Sequence, residues 1–142
     1  MSELRPFHLA IPVQDIESSR KFYRDVIGCT EGRSSDHWVD FDFFGHQLVI
    51  HLSDGERNGT SNPVDGKDVP VPHFGVVLTM SHFEQLAAHL REQKVQFVIE
   101  PYIRFEGLPG EQATMFFYDP SGNALEFKAF SDLNQLFNVG GT

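Results

Sequence analysis

The sequence predicts an α+β protein in which one βαβββ unit occurs twice. Two short apolar segments, residues 8–13 and 73–78, each begin with a histidine and have the length of a strand. Each is followed by apolar residues at helical spacing, and then by three further strand-like runs. A stretch rich in Gly, Pro, Asp and Asn at residues 53–72 separates the two copies.

Module one, about residues 5–52, continues after its first strand with a helix that begins at Asp15, a good N-cap, and ends at Gly28. Three strands are predicted around residues 30–34, 38–44 and 46–52, with Gly45 in the last turn. The apolar residues at helical spacing, which we expect to be buried, are Ile16, Phe22, Tyr23, Val26 and Ile27.

Module two, about residues 73–130, continues with a helix that begins at Ser81, where Glu84 completes a capping box. Its expected buried residues are Phe83, Leu86, Ala87 and Leu90. Strands are predicted around 96–103, 112–118 and 124–130, with a tight turn at 119–123. Residues 53–72 are predicted to be a linker and 131–142 a weakly held tail. We expect residues 1–142 to form one domain, because a module of about 50 residues would be marginal alone.

Composition and charge exclude several classes of protein. The chain has 142 residues, with 11 Lys+Arg against 20 Asp+Glu and a net charge of −9, which argues against nucleic acid and anionic membranes as partners. Its one cysteine, Cys29, allows neither an internal disulfide nor a cysteine zinc cluster. There is no signal-peptide core, no apolar run of membrane-spanning length and no phosphate-binding glycine loop. We therefore expect a cytoplasmic protein without a nucleotide cofactor.

Four potential metal ligands lie on the first and last strands of the two modules. His8 and His73 open the first strands, and the last strands contribute His51 in module one and Glu126 in module two. Each histidine alone is also typical of a hydrogen-bonded structural residue. Glu126 is harder to explain in this way, because it lies in an apolar strand where an unpaired buried carboxylate is costly. Two imidazoles and a carboxylate suit Fe(II), Mn(II), Zn(II) or Ni(II).

Five further residues are candidates for a pocket that binds a small-molecule substrate. Trp38, Phe116 and Tyr118 are aromatic residues that either line such a pocket or belong to the core. Arg104 and Lys128 are suited to hold a substrate carboxylate. Because Lys128 shares a strand face with Glu126, a structural ion pair between the two is an equally good explanation of Lys128.

The doubled plan and the run from Phe116 to Glu126, with its pattern Asp-Pro-x-Gly-Asn-x-x-Glu, resemble the vicinal-oxygen-chelate superfamily. That superfamily includes glyoxalase I, extradiol dioxygenases, fosfomycin-resistance enzymes and bleomycin-binding proteins. The resemblance covers about residues 5–130 and is strongest to small predicted extradiol-dioxygenase-like proteins. It implies two βαβββ modules that form a curved mixed sheet around a metal-centred cavity. It also implies a homodimer, with the paired modules taken from one chain or exchanged between two.

The resemblance implies roles for the four potential ligands. Extradiol dioxygenases bind their metal through a histidine on the first strand of each module and a glutamate on the last strand of the second, which correspond to His8, His73 and Glu126. Glyoxalase I adds a ligand on the last strand of the first module, which we assign to His51, as a fourth ligand or an acid/base. The chain departs from the extradiol pattern at Phe116, where those enzymes carry tyrosine, and in residues 107–112, which lack their histidine.

Three functions follow from these expectations. The leading hypothesis is an extradiol-type dioxygenase that binds a small substrate through two vicinal oxygens at a divalent metal, with Fe(II) favoured. The alternative is a glyoxalase-like lyase or isomerase that uses Mn, Ni or Zn. A further alternative is a non-catalytic protein that binds a drug or metabolite, as bleomycin-resistance proteins do.

Overall fold

The chain folds, in a computed structural model that describes residues 4–54 and 59–139, into an α+β structure with mixed sheets. Two compact units are formed by Met1–Arg57 with Asp119–Asn123 and by Asn58–Tyr118 with Ala124–Thr142. None of the helices in the described ranges is long and apolar enough to cross a membrane. The elements in chain order are β1 (His8–Val13), α1 (Ile16–Lys21) extended by a π-helix (Phe22–Ile27), β2 (Thr30–Ser34), β3 (Trp38–Phe43), β4 (His46–Leu52), β5 (Thr60–Val64), β6 (Lys67–Val71), β7 (His73–Phe74), β8 (Val77–Leu78), α2 (Met80–Glu92), β9 (Phe97–Arg104), β10 (Gln112–Tyr118), β11 (Ala124–Phe130) and a 3-10 helix (Leu133–Gln135).

The first unit contains a four-stranded sheet in the order β1-β4-β3-β2, in which β1 and β4 run parallel. The predicted cap of α1 is confirmed, since the Asp15 carboxylate accepts a hydrogen bond from the Ser18 N–H at 2.8 Å. Gly28 ends the helical segment with a φ of 93°, as predicted. The helical residues Phe22, Tyr23 and Ile27 are buried as predicted, whereas Ile16 and Val26 are only partly buried.

The second unit contains a sheet in which β11 lies between β10 and the short strands β7 and β8, with β9 at the far side of β10. Alternation along β10 and β11 gives the sheet an apolar face and a mixed one. The core of this unit includes the predicted helix residues Phe83, Leu86, Ala87 and Leu90, together with Met115, Phe117, Leu125 and Phe127 of the apolar face. The mixed face carries Thr114, Phe116, Glu126 and Lys128, because these residues alternate with the core positions.

Two sequence predictions about the second half of the chain are wrong in detail. The stretch predicted as a linker forms a hairpin from β5 and β6, apart from residues 55–58, which lie outside the described part of the chain. Helix α2 begins earlier than Ser81, with Thr79 as its N-cap, so Glu84 is too far along the helix to form a capping box. The C-terminal tail forms the short 3-10 helix, and its residues Leu133 and Phe137 are 64% and 89% exposed.

The turn after β10 is held by the buried carboxylate of Asp119, which is 4% exposed. Asp119 accepts hydrogen bonds from the backbone N–H groups of Ser121 and Asn123 at 2.9 and 2.8 Å. It also accepts from the Asn123 amide at 2.8 Å and from the Tyr23 hydroxyl at 2.7 Å. The Asn123 amide donates in addition to the Pro12 carbonyl at 2.9 Å. The Asp-Pro-x-Gly-Asn part of the motif therefore has a structural role in the first unit.

The single cysteine is expected to be unreactive in the folded protein. Cys29 is 5% exposed, and burial, reinforced by the nearby Asp42 carboxylate, raises the pKa of its thiol to about 12. At pH 8 this pKa leaves roughly one thiol in ten thousand ionised, and the thiolate is the reactive form. We expect a chromogenic disulfide reagent at pH 8 to react with Cys29 only after denaturant is added. Rapid reaction of the native protein would contradict this prediction.

Candidate metal centre

His73 and Glu126 lie side by side on the mixed face of the second sheet. Strands β7 and β11 run parallel and place His73 opposite Ala124, so that Glu126 is two residues farther along the same face. His73 Nε2 is 3.0 Å from Glu126 Oε1, and the two side chains are 30% and 13% exposed. His73 Nδ1 is 2.7 Å from the Pro70 carbonyl oxygen. Because that carbonyl can only accept, His73 donates its Nδ1 proton there and directs Nε2 toward Glu126.

The second oxygen of the Glu126 carboxylate is bound by Thr114, which is fully buried on β10. The Thr114 hydroxyl donates to Glu126 Oε2 at 2.5 Å. Burial pulls the pKa of Glu126 upward, but the hydrogen bonds from His73 and Thr114 and the charge of Lys128 outweigh burial and lower this pKa. The hydrogen bond to Glu126 likewise raises the pKa of His73 above its ordinary value. A cation, either a proton or a metal ion, is therefore favoured between Nε2 and Oε1.

The separation of these two atoms suits a shared metal ion. At 3.0 Å, Nε2 and Oε1 are close enough that both would be able to bind one divalent ion. The Pro70 carbonyl and Thr114 hydroxyl are outer-shell partners of the kind that orient ligating histidines and carboxylates. Across residues 4–54 and 59–139, no group of three or more His, Cys, Asp and Glu side chains is arranged to hold one ion. His73 and Glu126 thus offer two ligand positions.

His8 and His51 lie in the first unit, on one face of its sheet. His8 is exposed, and its Nδ1 donates to the side-chain oxygen of Gln47 at 2.8 Å, so that Nε2 is the ring nitrogen not engaged by Gln47. In the β1–β4 register, His8 lies opposite Gln47 and His51 lies opposite Pro12. His51 is thus four residues along β4 from Gln47, or about 13 Å at the usual strand rise.

This register shows that His51 does not occupy the position in module one that corresponds to Glu126 in module two. In module two, Glu126 lies two residues after Ala124, the strand partner of His73. In module one, the residue two positions after Gln47, the strand partner of His8, is Val49, which is 5% exposed and part of the core. His51 instead occupies the position that corresponds to Lys128. The assignment of His51 as a fourth ligand or acid/base stays a prediction, supported by the face that it shares with His8.

A glycine allows the first strand of module two to approach Glu126 closely. Residues 73–78, predicted as one strand, form two short strands interrupted at Gly75, where a Cβ atom would overlap the carbonyl oxygen of Glu126. The space beside Gly75 is therefore filled by the backbone of Glu126.

Replacing Gly75 by alanine is therefore expected to displace β7 and β8 from β11 and to lower the free energy of unfolding by about 2–3 kcal/mol. Chemical denaturation followed by circular dichroism measures this change. Gly32→Ala is the matched control, because a Cβ there would lie 3.4 Å from the Asp40 Cβ, an ordinary contact. Equal stability of the two variants would contradict the close approach at Gly75.

The five candidate pocket residues have different surroundings. Phe116 is buried and its ring meets that of His73 edge-on, with centroids 5.1 Å apart. The Arg104 guanidinium is bound to Asp65, with Nε 2.6 Å from Oδ2. Tyr118 is 46% exposed at the end of β10, and half-buried Trp38 lies opposite His51 in the β3–β4 register. Lys128 is half-buried and forms no salt bridge with the described residues, so the structural ion pair with Glu126 is absent.

Sequence reasoning missed the partners that orient the predicted ligands. Gln47, Pro70 and Thr114 bind His8, His73 and Glu126 respectively. Thr114 carried a usable signal, because the tight turn at 119–123 fixes the β10–β11 register and places Thr114 diagonally across from Glu126. The Pro70 carbonyl carried none, since it depends on a hairpin that the composition of residues 53–72 did not indicate.

Comparison with known proteins identifies a superfamily that matches most of the chain. The family described as the Glyoxalase/Bleomycin resistance protein/Dioxygenase superfamily matches residues 5–127. A glyoxalase/bleomycin resistance protein/dioxygenase from Alicyclobacillus acidocaldarius is 36% identical, with a TM-score of 0.78 over 94% of this chain and 96% of that one. Among curated proteins, none matches the chain.

Two more distant solved structures share the fold. The fosfomycin resistance protein FosX from Listeria monocytogenes is 18% identical, with a TM-score of 0.70 over 95% of this chain and 98% of that one. A lactoylglutathione lyase from Agrobacterium tumefaciens is 17% identical, with a TM-score of 0.65 over 91% and 96% of the two chains. The family match over nearly the whole chain and the 36% identical relative together place the protein: it belongs to the glyoxalase/bleomycin resistance protein/dioxygenase superfamily.

Proposed function

We propose that the protein is a metal-dependent enzyme that binds a small substrate through two vicinal oxygens, and that His8, His73 and Glu126 hold the metal. The observation that carries this proposal is the His73–Glu126 pair, in which Nε2 and Oε1 are 3.0 Å apart. The other polar atom of each side chain is hydrogen-bonded, Nδ1 of His73 to the Pro70 carbonyl and Oε2 of Glu126 to the Thr114 hydroxyl. A bound divalent ion would supply Lewis-acid chemistry, which lowers the pKa of a substrate hydroxyl and accepts its developing charge.

The remaining side chains of the site have roles that follow from their surroundings. Pro70 and Thr114 keep Nε2 of His73 and Oε1 of Glu126 aimed at one point. Phe116 presents an apolar ring beside His73, which excludes water from one side of the imidazole. Lys128 is a half-buried cation on the same face whose charge favours the ionised Glu126 carboxylate but which forms no salt bridge with a described residue, and it is suited to bind a carboxylate of the substrate.

Two reactions fit this arrangement, and one feature separates them. Extradiol-type oxygenation with Fe(II) is the leading proposal from the resemblance of His8, His73 and Glu126 to that ligand set. Glyoxalase-like lyase or isomerase chemistry with Mn, Ni or Zn is favoured by Phe116, which offers no hydroxyl at the place where extradiol enzymes carry tyrosine. His51 is proposed as the acid/base in either reaction.

Metal content distinguishes the reactions. The protein is purified anaerobically from cells grown without added metal, and bound metals are measured by plasma mass spectrometry, with His73→Ala as the control. Near-stoichiometric iron in the wild type alone, with oxygen uptake on addition of catechol, supports the dioxygenase. Stoichiometric nickel, zinc or manganese supports the lyase. No metal in either protein, even after reconstitution, overturns both and leaves the non-catalytic binding protein.

The proposed homodimer is tested through the origin of His8. His8→Ala and His73→Ala chains are each expected to lose the metal, and a mixture of the two is refolded together. If the site draws His8 from a second copy, each mixed dimer regains one intact site of two, and random mixing restores about a quarter of the wild-type metal content. If both histidines come from one chain, the mixture binds no more metal than either variant. Sedimentation measured in parallel shows a monomer if the homodimer is wrong.

A further inference from the structure

A hairpin formed by β5 and β6 packs against the sheet that carries Glu126. The two strands pair from Thr60 opposite Val71 to Val64 opposite Lys67. They are joined by Asp65 and Gly66, whose φ values of 53° and 76° are both positive, as in a type I′ turn. An isolated two-stranded hairpin is marginally stable in water, so its position depends on contacts with the rest of the second unit.

Apolar contacts hold the middle of the hairpin. Val69 of β6 is 8% exposed and forms a small buried cluster with Ile99 of β9 and Phe116 of β10. Val64 and Tyr102 pack against the edge of this cluster. Phe116 is the residue whose ring also meets His73, so the same cluster touches both the hairpin and the candidate metal ligand.

Polar contacts anchor the tip of the hairpin to β9. The Asp65 carboxylate accepts hydrogen bonds from the Tyr102 hydroxyl at 2.9 Å and from Arg104 Nε at 2.6 Å. The Lys67 ammonium lies over the Tyr102 ring, 4.4 Å from its centroid. The Tyr102 hydroxyl and the charge of Arg104 both lower the pKa of Asp65, so its carboxylate is ionised at neutral pH. Arg104, a predicted substrate-binding residue, is therefore engaged in holding this tip.

The other end of the hairpin reaches His73. Pro70, near the end of β6, accepts the Nδ1 proton of His73 at 2.7 Å, and this contact fixes both the ring orientation and the tautomer. A shift of β6 would break this hydrogen bond and allow the imidazole to turn so that Nε2 no longer faces Glu126. The anchor at Asp65 and the acceptor at Pro70 belong to one short hairpin, so the first restrains the second.

We propose that the hairpin of residues 60–71 is the element that positions His73 for metal binding, and that Asp65 is the positioning residue that anchors it. The inference deepens the proposed function and rests on it for the role of His73 as a ligand. Loss of outer-shell partners of metal ligands typically weakens affinity by about 10–100-fold. Asp65 contacts neither His73 nor its partner Pro70 directly, so we expect its loss to weaken metal affinity by an amount near the lower end of that range.

The experiment compares three substitutions in the hairpin. Asp65→Gly deletes the carboxylate at a positive φ that glycine adopts freely, and Asp65→Asn removes only the charge. Asp68→Asn is the matched control, because Asp68 is an exposed acid of the same hairpin without a salt bridge to any described residue. In competition with a chromophoric chelator, Zn(II) affinity is expected to fall about 10-fold in Asp65→Gly and about 3-fold in Asp65→Asn. Asp68→Asn is expected to stay within about 2-fold of the wild type.

A second measurement on the metal-free protein reads the position of His73 directly. Nitrogen-15 NMR of the histidine rings is expected to show a slowly exchanging Nδ1 proton on His73 in the wild type and in Asp68→Asn, and its loss in Asp65→Gly. If this pattern holds but no protein binds Zn(II), the proposed function fails and the positioning role of the hairpin stands. An unchanged Nδ1 proton and unchanged affinity in both Asp65 variants would overturn the inference.

Discussion

Replacing His73 by alanine or Glu126 by glutamine is expected to lower the affinity for a divalent metal by at least about 100-fold. His73→Ala removes the proposed ligand atom Nε2, which lies 3.0 Å from Glu126 Oε1, and Glu126→Gln removes the negative charge of the other proposed ligand. Each substitution also leaves the other group without its partner, and a metal ion with one protein ligand fewer is readily lost to water or chelator. Competition of Zn(II) between each variant and a chromophoric chelator measures the change.

His89→Ala is the matched control for these variants. His89 lies in the last turn of α2, outside the mixed sheet face, and it is not one of the four potential ligands predicted from the sequence. Its removal is expected to change the affinity by less than about 2-fold. Equal losses in His73→Ala and His89→Ala, or full affinity in Glu126→Gln, would mean that the metal binds elsewhere.

Replacing Asp119 by alanine is expected to lower the free energy of unfolding by about 3–5 kcal/mol. The buried carboxylate accepts from two backbone N–H groups, an amide and the Tyr23 hydroxyl, and its removal breaks all four of these hydrogen bonds at once. Losses of this size are confined to a few mechanisms, of which a broken buried hydrogen-bond network is one. Urea denaturation followed by intrinsic fluorescence gives the value.

Two further variants show whether the network is the cause. Tyr23→Phe removes a single donor and is expected to cost about 1–2 kcal/mol, because the carboxylate keeps its other partners. Asp68→Ala removes an exposed carboxylate and is expected to change stability by less than about 0.5 kcal/mol. If Asp119→Ala were no more destabilising than Asp68→Ala, the assigned role of the turn would be wrong.

Much of the fold could be predicted because its determinants are local. The strands of both modules follow from apolar alternation and turn residues, and the helix at Asp15 follows from its cap. The hairpin at residues 60–71 could not be predicted in this way. Its strands contain Pro63 and Pro70 and few apolar residues, and its stability depends on distant contacts with Ile99 and Phe116.

The site was predictable to the extent that it depends on alternation within strands. Alternation placed Glu126 on the mixed face, and the first-strand position placed His73 beside it. Register between strands of module one was harder, because a two-residue difference in pairing decides whether Val49 or His51 corresponds to Glu126. The directions in which the pKa values of His73 and Glu126 shift could not be predicted either, since they depend in part on the Pro70 carbonyl and the Thr114 hydroxyl.

The proposed metal ion would bind between His73 Nε2 and Glu126 Oε1. A crystal structure of the Co(II)-loaded protein, with anomalous difference maps collected at the cobalt edge, tests this proposal most directly. We expect a stoichiometric cobalt peak within about 2.0–2.3 Å of both atoms, with the Pro70 and Thr114 hydrogen bonds retained. A fully loaded crystal whose cobalt lies elsewhere, with His73 still bonded directly to Glu126, would contradict it.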